Sequence, residues 1–135
     1  MVPSDDLAWS EEAIRDSYLL SNVIPQTLSL NSGKWRVLET AVRKIAASSD
    51  FVIVLTGPIF CGTIEYIGAN EVAVPCEIFK VALSSRGDEL AIFAAILPNG
   101  PNPSQPFNEF VTSIEEVQRR TGLQLFGKLL SRLTP

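Results

Sequence analysis

The 135-residue sequence predicts one α+β domain, an antiparallel sheet flanked by helices. Residues 51–57 form a run of β-branched and aromatic side chains, which indicates a strand buried on both faces. Two more apolar segments, residues 75–83 and 90–97, are separated by a turn at 84–88, and this pattern predicts an antiparallel hairpin. Predicted strands outnumber long helices, which favours α+β over a parallel doubly wound sheet.

Three elements are predicted near the N-terminus. Residues 9–16 predict a short helix, since Ser10 can cap its first turn. Residues 18–20 predict a short extended segment. The Asn-Ser-Gly sequence at 31–33 predicts a turn before the next helix.

The clearest helix is predicted over residues 34–47. Its apolar residues recur at intervals of three and four, which places them on one face: Trp35, Leu38, Val42 and Ile45. This spacing predicts a helix that packs on the sheet.

The rest of the chain predicts shorter elements. A short strand is expected at 63–67, and the proline-rich residues 98–106 predict a surface loop. Capping-box spacing predicts a helix over 113–120, ended by Gly122. Residues 125–130 predict a final apolar helix.

Composition excludes several classes of function. A net charge of −4 argues against a basic protein that coats nucleic acid, although a local groove beside a bound metal is compatible with it. No apolar run suits a membrane span or a signal peptide, so no membrane partner is expected. Cys61 and Cys76 are expected to be buried thiols, with a disulfide as the alternative in a secreted protein. No Cys/His cluster suggests zinc.

Residues 21–43 hold the candidate site. Its members are amide side chains with one acidic and one basic residue: Asn22, Gln26, Asn31, Glu39 and Arg43. Neutral oxygen ligands supported by a carboxylate suit hydrated Mg²⁺, and arginine suits a phosphate. Each residue also has an ordinary explanation. Glu39 and Arg43 are four apart and can form a surface ion pair, and the amides are common in turns.

A family resemblance joins these residues. Y-L-L-S-N-V-I-P-Q at 18–26, L-N-S-G-K-W-R-V-L-E at 30–39 and F-V-I-V-L-T-G-P at 51–58 resemble the DNA/RNA non-specific endonucleases, the ββα-metal (His-Me finger type) nucleases. Weaker similarity extends over nearly the whole chain. The resemblance implies Mg²⁺-dependent hydrolysis of phosphodiester bonds in DNA and RNA.

The same resemblance implies a role for each candidate residue. Asn31 corresponds to the residue that binds Mg²⁺, or alternatively Mn²⁺. Glu39 would hold water bound to the metal, and Arg43 would contact the phosphate or the transition state. Asn22 would belong to the catalytic group and Gln26 to its surroundings.

The family's D-R-G-H motif, whose His is the general base, is expected just before Met1, and the sequence contains no His. Residues 1–135 are therefore expected to be the C-terminal portion of the nuclease domain, without its N-terminal strands and inactive alone. An unpaired sheet edge would then favour an N-terminal complementing chain or a homodimer. The alternative is a non-catalytic protein that binds nucleic acid or a protein partner.

Overall fold

The computed structural model describes residues 1–101 and 104–127. In these residues the helices are α1 (Glu11–Asp16), α2 (Leu28–Ser32), α3 (Lys34–Ala47) and α4 (Ile114–Thr121). The strands are β1 (Phe51–Ile59), β2 (Glu65–Ile67), β3 (Val72–Val74), β4 (Glu77–Arg86), β5 (Glu89–Pro98) and β6 (Val111–Thr112). Short 3-10 helices cover Ser4–Leu7 and Phe107–Phe110. Among the described helices, none combines the length and the apolar composition that a membrane-spanning segment requires.

The main sheet has four antiparallel strands in the order β1-β4-β5-β6, and β2 and β3 form a separate pair. This confirms the antiparallel α+β prediction. The predicted hairpin is β4–β5, in which Arg86 lies opposite Glu89. Its turn is shorter than residues 84–88, because Gly87 at φ +58° reverses the chain in two residues.

The sheet separates two hydrophobic clusters. On one face α3 packs through Trp35, Leu38 and Val42. On the other, α4 packs through Ile114 and Val117. The strand buried on both faces is β4, in which every residue from 78 to 83 is buried.

The prediction that residues 51–57 are buried on both faces is therefore wrong. In the described residues β1 pairs only with β4, so it lies at the edge of the sheet. Phe51, Ile53 and Val54 are 40–45% exposed. An apolar run predicts a strand, but its place in the sheet depends on pairing with distant segments.

Two N-terminal predictions are also wrong. Residues 31–33 are not an isolated turn, because α2 extends to Ser32; Thr27 caps it by accepting a hydrogen bond from the Leu30 N–H at 3.3 Å. Leu30 is fully buried, and this burial favours the helix. Residues 18–20 form turns rather than an extended segment, with the Asn22 N–H donating to the Leu19 carbonyl at 2.7 Å.

The expected free thiols are a further correction, since Cys61 and Cys76 form a disulfide. The β2–β3 hairpin brings the chain back beside the end of β1, where the Cys76 N–H donates to the Ile59 carbonyl at 3.0 Å. The two Cα atoms are thereby 5.8 Å apart, within the range for a disulfide.

Other local predictions hold. The helix predicted at 34–47 is α3, and that at 113–120 is α4, which is capped by Ser113 and ends before Gly122 at φ +71°. In the helix predicted over 125–130, residues 125 and 126 are not helical, and residues 128–130 lie outside the described residues.

Candidate functional site

The structure places four of the five candidate residues around one cavity. Asn22, Gln26, Asn31 and Glu39 line a space of about 160 Å³ between α2, α3 and the N-terminal segment, together with Tyr18 and Trp35. We call it the amide cavity. Residues from the loop after α1, from α2 and from α3 thus line one space.

Asn31 lies on α2 with an exposed side chain that makes no hydrogen bond to any described residue. Its amide oxygen is therefore available to a ligand. Gln26 is half-buried, and its Nε2 group is buried without a hydrogen-bond partner in the described residues. A buried donor of this kind needs an acceptor such as water or a phosphate oxygen.

The Asn22 amide is already hydrogen-bonded to backbone atoms, unlike an active-site amide that is free to bind a ligand. Its Oδ1 atom accepts a hydrogen bond from the Val2 N–H at 2.7 Å. Its Nδ2 group donates to the carbonyls of Val2 and Ser17, each at 2.9 Å. Asn22 thus holds the N-terminal segment against the turn that follows α1.

Glu39 lies one helical turn after Trp35 and is half-buried. Burial raises the pKa of its carboxyl, while Lys80, the Trp35 indole and Arg43 favour the carboxylate. The Glu39 carboxylate is therefore partly desolvated and lies near the positive charges of Lys80 and Arg43. Such a carboxylate is suited to accept hydrogen bonds from water.

Arg43 is not among the residues that line the amide cavity, and it does not form the ion pair with Glu39 that its spacing allows. Its Nε group instead donates to Asp6 Oδ1 at 2.6 Å, and Nη2 approaches Asp5 Oδ2 at 3.5 Å. The hydrogen bond with Asp6 raises the pKa of Arg43.

A second space, which we call the lysine cavity, adjoins the first and has a volume of about 240 Å³. Glu39 and residues 1–3 line both spaces, and Asp6, Thr56 and Lys80 line the second. Lys80 is 2% exposed, and its Nζ group lies 4.9 Å from the centre of the Trp35 ring. Burial lowers the pKa of Lys80, and the negative charges of Glu39 and Asp6 offset only part of this decrease.

Sequence reasoning missed Lys80 and Asp6. A visible signal for Lys80 was one cation inside an otherwise apolar strand segment, I-F-K-V-A-L at 78–83. Nothing in the sequence pairs Asp6 with Arg43, because 37 positions separate them and only the fold brings them together.

A sequence model of the DNA/RNA non-specific endonuclease family matches residues 1–131. The chain is 35% identical over 136 residues to mitochondrial endonuclease G of Homo sapiens, covering 92% of this chain and 46% of that protein. It is 34% identical over 143 residues to the mitochondrial nuclease EXOG of Danio rerio, covering 96% and 42%. The chain thus spans less than half the length of these relatives.

A solved structure is also similar. It is a crystal structure of a complex between EndoG and EndoGI, described as showing the mechanism of EndoG inhibition. The TM-score is 0.85 at 29% identity, and the match covers 93% of this chain and 57% of that one.

Proposed function

The chain belongs to the DNA/RNA non-specific endonuclease family, and we propose that it is the metal-binding portion of a Mg²⁺-dependent nuclease that cleaves phosphodiester bonds in DNA and RNA. The observation that carries this proposal is the amide cavity, where Asn22, Gln26, Asn31 and Glu39 meet.

The residues present fit a hydrated Mg²⁺ ion. Mg²⁺ prefers oxygen ligands and keeps several waters, so it needs few protein ligands. Asn31 offers a free amide oxygen to hold the metal, or Mn²⁺ in its place, and Glu39 offers a carboxylate on the same cavity wall. A metal bound there would stabilise the charge that develops on the phosphate oxygens.

The other side chains would bind and orient the substrate. Arg43 provides a guanidinium for a phosphate, and the unpaired Nε2 group of Gln26 donates to an oxygen in the cavity. Glu39 accepts hydrogen bonds from water and so orients it. Asn22 acts indirectly, because its amide holds Val2, which lines both cavities.

Proton transfer from the attacking water requires a general base. Neither cavity contains a His, since the sequence has none. We therefore assign the base to a segment outside residues 1–135, supplied by a longer chain or by a complementing one. A positioned base contributes roughly 10²–10⁴-fold to rate, so residues 1–135 alone are expected to cleave nucleic acid very slowly.

Metal binding and cleavage test the proposal separately. Mn²⁺ titrated into isotope-labelled protein should broaden NMR signals around Asn31 and Glu39. Asn31→Ala should abolish the broadening, whereas Asn70→Ala, an exposed amide in the loop between β2 and β3, should not. Broadening centred on Asp5 and Asp6 instead would contradict the assignment of the metal site.

Supercoiled-plasmid nicking tests the catalytic part. Residues 1–135 with Mg²⁺ should nick poorly. A chimera that carries the part of human endonuclease G preceding the matched region should nick rapidly and lose this activity with Asn31→Ala. A folded, metal-binding chimera that does not nick would favour the alternative function, a non-catalytic protein that binds nucleic acid or a protein partner.

A further inference from the structure

The ion pair between Arg43 and Asp6 joins α3 to the N-terminal 3-10 helix. We propose that Asp6 is a positioning residue that holds the Arg43 guanidinium in the orientation needed to contact a phosphate. This inference rests on the proposed function of Arg43 and adds a residue that the family motifs in the sequence do not contain.

The contact distances distinguish Asp6 from its neighbour. Arg43 Nε lies 2.6 Å from Asp6 Oδ1, and the Arg43 and Asp6 side chains are 35% and 36% exposed. The contact of Arg43 Nη2 with Asp5 Oδ2 is 3.5 Å long, and the Asp5 side chain is 77% exposed. Asp6 therefore makes the short hydrogen bond and is less exposed than Asp5, which adds only a weak, screened attraction.

The pair leaves part of the guanidinium available. Nε and Nη2 face the two carboxylates, while Nη1 has no partner among the described residues. A guanidinium is a rigid planar fork, so a carboxylate on one edge determines where the other edge points. Holding a long side chain in place before binding reduces the entropy lost when a phosphate binds.

The position of Asp6 is itself determined by the fold. The N-terminal segment is attached at Val2 through both amide atoms of Asn22. Asp6 then lies at the wall of the lysine cavity, which Glu39 shares with the amide cavity. Arg43 lines neither cavity, but it is one helical turn beyond Glu39 and pairs with Asp6, and both of those residues line the lysine cavity.

The opposing interpretation is that Asp6 competes with phosphate for Arg43. The two interpretations predict opposite changes in nucleic-acid affinity when Asp6 is neutralised. Positioning predicts weaker binding, whereas competition predicts stronger binding, because removal of a negative charge alone should strengthen binding to a polyanion. Fluorescence anisotropy of the 135-residue chain with a fluorescein-labelled single-stranded oligonucleotide separates them. Ca²⁺ replaces Mg²⁺ so that the strand is not cut during the titration.

Asp6→Asn should weaken binding about five-fold, despite the lost negative charge. It should also lower the slope of log K against log salt by about 0.7, the value for one phosphate contact on a single strand. Asp5→Asn is the matched control and should bind as tightly as the unchanged chain or more tightly. In an Arg43→Ala background, Asp6→Asn should no longer weaken binding.

Thermal melting shows whether each variant is folded. Asp6→Glu retains the charge but displaces the guanidinium, so weaker binding with an unchanged Tm also supports positioning. If Asp6→Asn tightens binding as Asp5→Asn does, or Asp6→Glu binds like the unchanged chain, positioning is refuted. If Arg43→Ala changes neither affinity nor salt slope, Arg43 contacts no phosphate, and the inference fails together with that part of the proposed function. Loss of Mn²⁺ binding by Asn31→Ala would still support the metal site.

Discussion

Breaking the Cys61–Cys76 disulfide should destabilise the chain by about 3 kcal/mol. The bridge closes a loop with a sequence separation of 15, and loop-closure entropy assigns about 3 kcal/mol to a loop of that length. Little else stabilises the loop, because β2 and β3 pair over three residues each and all β2 residues are exposed. For a domain of this size, 3 kcal/mol corresponds to a decrease in Tm of roughly 10 °C.

Circular dichroism melting with and without a phosphine reductant measures this effect. Cys61 is exposed, so the reductant can reach the bridge in the folded protein. The double variant Cys61→Ser/Cys76→Ser should melt like the reduced chain and should not respond to the reductant. Equal Tm values for untreated and reduced chain would refute the predicted stabilisation, and two titratable thiols in the untreated protein would show that the cysteines are free.

Three further results are expected. Light scattering over a concentration series should show association through the open edge of β1; Ile53→Lys should reduce it, whereas Val37→Lys on exposed α3 surface should not. Because the folded-state pKa of Glu39 is raised, the native state binds more protons than the unfolded state, and stability should fall as pH rises from 4.5 through the folded-state pKa. Glu39→Gln should therefore raise Tm at neutral pH while weakening Mn²⁺ binding. Lys80→Met should raise Tm at neutral pH. Burial lowers the pKa of Lys80, so the charged form is less stable in the folded chain than in the unfolded chain, and removing the charge removes this cost.

Local physics explains which elements could be predicted from the sequence. Helix α3 follows from an apolar stripe that recurs at the helical period, and α4 from a Ser cap and a Gly stop. The β4–β5 hairpin follows from two apolar runs around a glycine turn. Helix α2 was missed because five residues are too few to show a period, and its stability depends on burial of Leu30.

The candidate site likewise has a part that the sequence motifs indicate and a part that depends on the fold. Asn22, Gln26, Asn31 and Glu39 were predicted to lie together, since the family motifs keep them within one short segment, and they share the amide cavity. The sequence could not show that Asn22 holds Val2, because that contact depends on how the turns after α1 bring Asn22 back to the N-terminal segment.

The α+β class, the long helix and the hairpin could be predicted from the sequence, and the family motifs name the candidate site residues. These follow from periodicity, capping and motifs, which act over a few neighbouring residues. Three features required the folded structure: within the described residues β1 is an edge strand, Cys61 bonds to Cys76, and Arg43 pairs with Asp6 rather than Glu39. Each of these depends on which distant segments the packed sheet and helices bring into contact, and no local pattern records that information.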